Sequence, residues 1–233
     1  MASQSDPLSE ETAAFIVPIY PYDVPRILES SDSLFDFVSP EYLIRYRPLR
    51  DVLPLSAARG GYESIPNLYA LLDSSIPDLT GIRQTLAAPR LGNGGAGALI
   101  GIVDTGIDYT SPLFRDPDGK TRILGLWDQT VPGPGLAGSG PLEAIRYGTV
   151  YRKEDLDQAL ASPDPLSAVP SLDSDGHGTR MAAAAAGYSE DPAFSGAAPQ
   201  AGLLIVRLRP ASQYLRDFYL IRDGVPAFQE NDI

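Results

Sequence analysis

Hydrophobic positions along this chain form runs of two kinds. "ALIGIV" (98–103) and the start of "GLLIVRLRP" (202–210) are close to continuously apolar. A strand of that kind is buried on both faces, as in a parallel sheet covered by helices. "AAFIVPIY" (13–20), ended by Pro21, and "RILGLWDQT" (122–130) are further strand candidates, and "EYLIRYRPL" (41–49) alternates as a half-buried strand does. The second kind has helical spacing. "NLYALLD" (67–73) puts Leu68, Leu71 and Leu72 on one side, and "KEDLDQALA" (153–161) and "SQYLRDFYLI" (212–221) predict further helices. "DVPRILES" (23–30) predicts a short one.

Strands alternating with helices after residue 67 predict an α/β domain with a central parallel sheet. The first 65 or so residues predict a small α+β unit instead. "ARGGYESIP" (58–66) lies between them as a glycine-bearing loop, a linker or cleavage site. "RLGNGGAGA" (90–98), "VPGPGLAGSGP" (131–141) and "SPDPLSAVP" (162–170) break regular structure. In "QENDI" (229–233), Asn231 and Asp232 are good helix N-caps, so a helix start is expected there.

Composition narrows the class. The 233 residues are 43% hydrophobic and 21% charged, with a formal net charge of −12. Such a balance describes a soluble globular protein. Its acidity repels phosphate backbones, which argues against nucleic acid as a partner. No apolar run approaches the roughly 20 residues of a membrane-spanning helix, which argues against a membrane partner. The opening "MASQSDPLSEET" (1–12) has neither the basic start nor the apolar core of a signal peptide, and is expected to be an unstructured leader. The compartment stays open. With no cysteine and one histidine, neither a disulfide nor a structural zinc site is expected, and no cofactor is implied. Asp173, Asp175, Glu190 and Asp191 read as solvated loop acids rather than a calcium site.

Two motifs carry candidate chemistry. "GIVDTGID" puts Asp104 at the carboxyl end of a buried strand, where open α/β sheets gather their working residues. "GHGT" places His177, the only histidine, at a helix start with a glycine on each side. An aspartate that accepts from Nδ1–H holds an imidazole in one tautomer and leaves Nε2 to act as a base. Taken alone, "DTG" also reads as turn chemistry, or as half of an aspartic-protease pair. That pair needs two such carboxylates, and the chain has one copy.

The order aspartate then histidine, each in an α/β setting, resembles the subtilisin-like serine proteases. "ALIGIVDTGIDYTSPLF" looks like the aspartate motif of that family. "DSDGHGTRMAAAAAG" looks like its histidine motif, and "FSGAAPQAGLLIVRL" is similar to the segment that follows. "DPDGKTRILGLWDQT", "YGTVYRKEDLDQAL" and "QYLRDFYLI…AFQENDI" resemble the branch of clostridial spore-germination proteases. The likeness covers roughly residues 67–233.

The resemblance implies a subtilisin-like α/β fold, a parallel sheet with helices on both faces, incomplete in this chain. It implies a prodomain-like α+β unit over 13–66, acting as an intramolecular partner, and the N-terminal part of a catalytic domain over 67–233. It implies peptide-bond hydrolysis by a serine endopeptidase on a protein or peptide substrate. Asp104 and His177 would be its catalytic residues. In the germination branch the substrate class is a precursor of a spore-cortex hydrolase. The chain departs from the family pattern in three places. Arg180 stands where a second histidine is common, and Ser111-Pro112 replaces His-Pro. The "GTS-x-A" nucleophile segment and the oxyanion asparagine are not among these residues. Thr179, Ser189, Ser195 and Ser212 follow His177 without that context. The expectation is therefore a fragment inactive by itself, the alternative being a pseudoprotease that works by binding.

Overall fold

The structure, a computed structural model, describes residues 6–29, 35–56, 64–70, 94–136, 145–190 and 195–233. The chain divides into two compact units. One comprises residues 1–70, 134–147 and 210–233, the other residues 71–133 and 148–209.

The first unit is built on a three-stranded antiparallel sheet. β1 (Thr12–Pro18) pairs along its length with β3 (Tyr42–Pro48), and β3 also pairs with β2 (Phe35–Phe37). A short helix, α1 (Val24–Leu28), lies between β1 and β2. Alternation along β3 buries Leu43, Ile44 and Tyr46 while Arg45 and Arg47 stay exposed. Of the expected leader, residues 6–11 are described. They form turns, and Glu10 accepts a hydrogen bond from the backbone of Gln213. Ala13 and Ile65 share a core with Tyr214 and Leu215, and the Tyr214 hydroxyl accepts from the Ala14 N–H at 3.1 Å.

One expectation for this unit is corrected. Leu68–Tyr69 is not the start of a helix but a short strand, β4; residues 71–73 lie outside the described residues. β4 pairs antiparallel with a strand at Phe228–Gln229, and Glu230 accepts from both the backbone and the side chain of Asn67. A partner about 160 residues away overrides the local helical spacing. In "QENDI", residues Glu230–Asp232 make one 3-10 turn, and Asp232 is buried with its carboxylate accepting from the Tyr147 hydroxyl.

The second unit holds a four-stranded sheet of β5 (Leu99–Asp104), β6 (Ile123–Asp128), β7 (Thr149–Arg152) and β8 (Gly202–Arg207). The spatial order is β5-β8-β6-β7. β8 runs parallel to both β5 and β6, and β7 is an antiparallel edge. β7 escapes the sequence reading because "TVYR" is too short to show a period. Among the described residues two longer helices accompany the sheet: α2 (Lys153–Leu160), and α4 (His177–Ala186) with its alanine run. Between them lies a single helical turn, α3 (Pro165–Ala168). The last helix in the chain, α5 (Gln213–Phe218), and the strand β9 (Phe228–Gln229) complete the first unit.

Alanine suits α4 because its small side chains let the helix approach a neighbour closely. Ala182 and Ala186 are fully buried in one core with Ile123, Leu126, Leu156, Leu203 and Ile205. Arg122 reaches the carbonyls of Leu113, Ala186 and Ala201, so one guanidinium satisfies the end of α4 and the approach to β8. On the face away from this core, Leu99, Val103, Leu124 and Leu204 are 53%, 43%, 46% and 42% exposed.

Candidate active site

Parallel strands end together, and that is what assembles this site. Asp104, Arg207 and Asp128 are the last residues of β5, β8 and β6, and the sheet register places them side by side. Beyond Asp104 the chain turns sharply through Thr105-Gly106. The other half arrives on α4, whose first residue is His177. Its N-cap, Gly176, has φ 79°, a left-handed conformation that a side chain would strain. Gly178 is there for space. A Cβ at this position would lie 2.2 Å from the Gly106 carbonyl oxygen and 3.1 Å from the Asp104 Cβ. The helix can reach the aspartate turn only with glycine at that contact.

The two predicted residues meet. His177 Nδ1 lies 2.8 and 2.9 Å from the two carboxylate oxygens of Asp104. Their side chains are 10% and 12% exposed, so water weakens the contact little. Asp104 Oδ1 also accepts from the Thr105 N–H at 2.7 Å, which fixes the carboxylate plane. An acceptor at Nδ1 selects the Nδ1–H tautomer and makes Nε2 the basic nitrogen. The carboxylate faces an imidazole rather than the second carboxylate that an aspartic dyad needs, an arrangement in which Nε2 can act as a base.

Other candidates fall elsewhere. Arg180, in the place of the family's second histidine, has a side chain 60% exposed, with Asp175 4.0 Å away. Ser111 caps the turn at Pro112–Phe114. The Thr179 hydroxyl donates to Asp173, Ser195 donates to the Ser189 carbonyl, and Ser212 is buried in the first unit. Asp191 lies outside the described residues. Among those described, no group of three or more His, Asp or Glu side chains is placed to hold a metal.

Two carboxylates around the pair escaped the sequence reading. Asp173, expected to be solvated, accepts hydrogen bonds from Thr105 Oγ1, Gly176 N, Thr179 N and Thr179 Oγ1. Burial pushes its carboxyl up, but the bonds from Thr179, Thr105 and Gly176 outweigh this and hold it below the usual carboxylate range. Asp128 is fully buried. It accepts from Ser171 at 2.6 Å and from the N–H and hydroxyl of Thr130 at 2.8 and 2.6 Å, and pairs with Arg207 at 3.0 Å. Burial raises the Asp128 carboxyl as well, and these bonds and the arginine bring it below the usual range. The stem of Arg207 packs on Gly106, since a Cβ there would meet its Cγ and Cδ at 3.2 Å. The spacing "D-x-x-x-HGT" was the available signal for Asp173. Asp128 had none, because its partners come from three separate segments.

A family model described as the subtilase family matches residues 95–231, more than half of the chain. The chain belongs to the subtilase family. Among solved structures, this subtilase is similar to the CspB protease of Clostridium perfringens, with 30% identity and a TM-score of 0.44. That likeness covers 57% of the subtilase and 26% of the CspB chain, so the subtilase spans only a minor part of that protein's length. No curated protein matches it.

Proposed function

We propose that Asp104 and His177 are the carboxylate and general base of a serine endopeptidase. The observation that carries this is the contact of Nδ1 with both Asp104 oxygens at 2.8 and 2.9 Å. In this reading a serine Oγ gives its proton to His177 Nε2 and attacks the scissile carbonyl carbon. Asp104 stabilises the imidazolium that forms. The imidazolium then protonates the departing amine, and water hydrolyses the acyl-enzyme. The nucleophile is a serine beyond residue 233, in a segment of the "GTS-x-A" kind. Protein or peptide is the substrate class. The motif resemblance to the germination branch narrows it to a precursor of a spore-cortex hydrolase. Residues 13–66 take the role of a prodomain and intramolecular partner, which their small antiparallel sheet supports.

The test uses a serine-directed fluorophosphonate on two proteins: residues 1–233, and the product of the gene read through beyond codon 233. The expected result is labelling of the longer product, abolished by His177→Ala, and none of residues 1–233. A labelled serine within 1–233 that depends on His177 would move the nucleophile into this chain. A longer product that stays unlabelled would replace the protease reading with a binding role.

A further inference from the structure

Asp104 and His177 stand 73 positions apart in sequence, one on a strand end and one on a helix. Something must hold those two elements in register. Thr105 touches both. Its N–H donates to Asp104 Oδ1 at 2.7 Å, and its hydroxyl accepts from Gly178 N at 2.9 Å. That hydroxyl in turn donates to Asp173 Oδ1 at 2.8 Å. Asp173 Oδ1 also accepts from Gly176 N at 2.9 Å, and Oδ2 accepts from Thr179 N and Oγ1 at 2.9 and 2.6 Å. Thr179 Oγ1 accepts from Asp108 N at 2.9 Å and so returns to the aspartate side. The donors bound by this one carboxylate flank His177 on both sides and include the residue next to Asp104.

We propose that Asp173 is a positioning residue for the Asp104–His177 pair, acting through the hydroxyls of Thr105 and Thr179. None of its four hydrogen bonds goes to either member of the pair. Its four hydrogen bonds set the distance across which Nδ1–H donates. Because a hydrogen bond weakens steeply with stretch and misalignment, a small drift between strand and helix frees the imidazole to change tautomer. Two hydroxyls and one ionised carboxylate form a bridge of charge-assisted bonds, stiffer than neutral ones. The proposal rests on the Asp–His reading above, and its test separates the two.

His177 is the only histidine, so the long-range ¹H–¹⁵N spectrum of the whole chain contains a single imidazole whose tautomer is read directly. The wild type is expected to show the Nδ1–H form. Thr105→Val leaves the charge of Asp173 in place and removes the bridging hydroxyl. It is expected to raise the Nε2–H population about five-fold, the factor that one net hydrogen bond carries. Thr105→Ser restores the wild-type spectrum, and Asp173→Ala behaves as Thr105→Val does. Folded Thr105→Val and Asp173→Ala proteins with the wild-type signature would overturn the proposal. If Asp173→Ala does not fold, the two Thr105 variants decide. Loss of the fold in Thr105→Val would assign the bridge a structural role alone and also overturn it. Asp104→Asn tests the underlying pair. If Asp104→Asn shifts the tautomer and the other variants do not, the pair stands without the bridge. If Asp104→Asn changes nothing, the pair itself fails.

Discussion

Gly178→Ala is the sharpest perturbation available, because one methyl group separates two views of "HGT". In the first view the glycine is a weak helix former, and replacing it stabilises the helix by up to about 1 kcal/mol. In the second it is the point of contact between α4 and the aspartate turn. The added Cβ would lie 2.2 Å from the Gly106 oxygen, with Gly106 N and Asp104 Cβ each at 3.1 Å. A comfortable non-bonded separation is about 3.5 Å, so strand end and helix must part by more than about 1 Å. Backbone atoms form most of that contact, so no flexible side chain can yield. Overpacking of this kind costs about 1–3 kcal/mol. Less a helix gain of about 1 kcal/mol, the variant should lose up to about 2 kcal/mol, or a few degrees in Tm for a chain of this size. The same movement would stretch the 2.8 Å His177–Asp104 contact beyond hydrogen-bonding reach. The assay is calorimetry together with the imidazole spectrum. A variant as stable as wild type, with the Nδ1–H tautomer intact, would refute the close-contact argument.

Arg207→Ala should cost about 3–5 kcal/mol in denaturant unfolding, because it leaves the fully buried Asp128 carboxylate without its cation; a loss under about 1 kcal/mol would show that Ser171 and Thr130 suffice. Asp173 and Asp128 have folded pKa values below the unfolded value of about 3.9. Their stabilisation is fully present above that value and is lost as pH falls through the folded one, so Asp128→Asn should flatten the acid limb of stability below about pH 4. Parallel limbs for variant and wild type would contradict this. Leu204→Glu, at a strand position 42% exposed, should change stability by no more than about 0.5 kcal/mol and reduce ANS binding and aggregation; a loss above about 2 kcal/mol would mean that the face is covered.

Sequence by itself determined the elements whose period is local. The apolar runs at 98–103 and 202–210 became neighbouring parallel strands, and the alanine run following His177 became a buried helix. Asp104 and His177 were legible because the turn and the helix start that present them are written in adjacent glycines and threonines. Tertiary structure alone decided the rest. Leu68 and Tyr69 have helical spacing and form a strand because their partner lies at 228–229. Asp173 looked like a solvated acid until four donors from two motifs converged on it, and Asp128 acquired its partners from three segments. Hydrophobic period is a property of a few consecutive residues. The cost of burying a polar group is set by whatever the fold brings beside it, and a short window of sequence does not contain that partner.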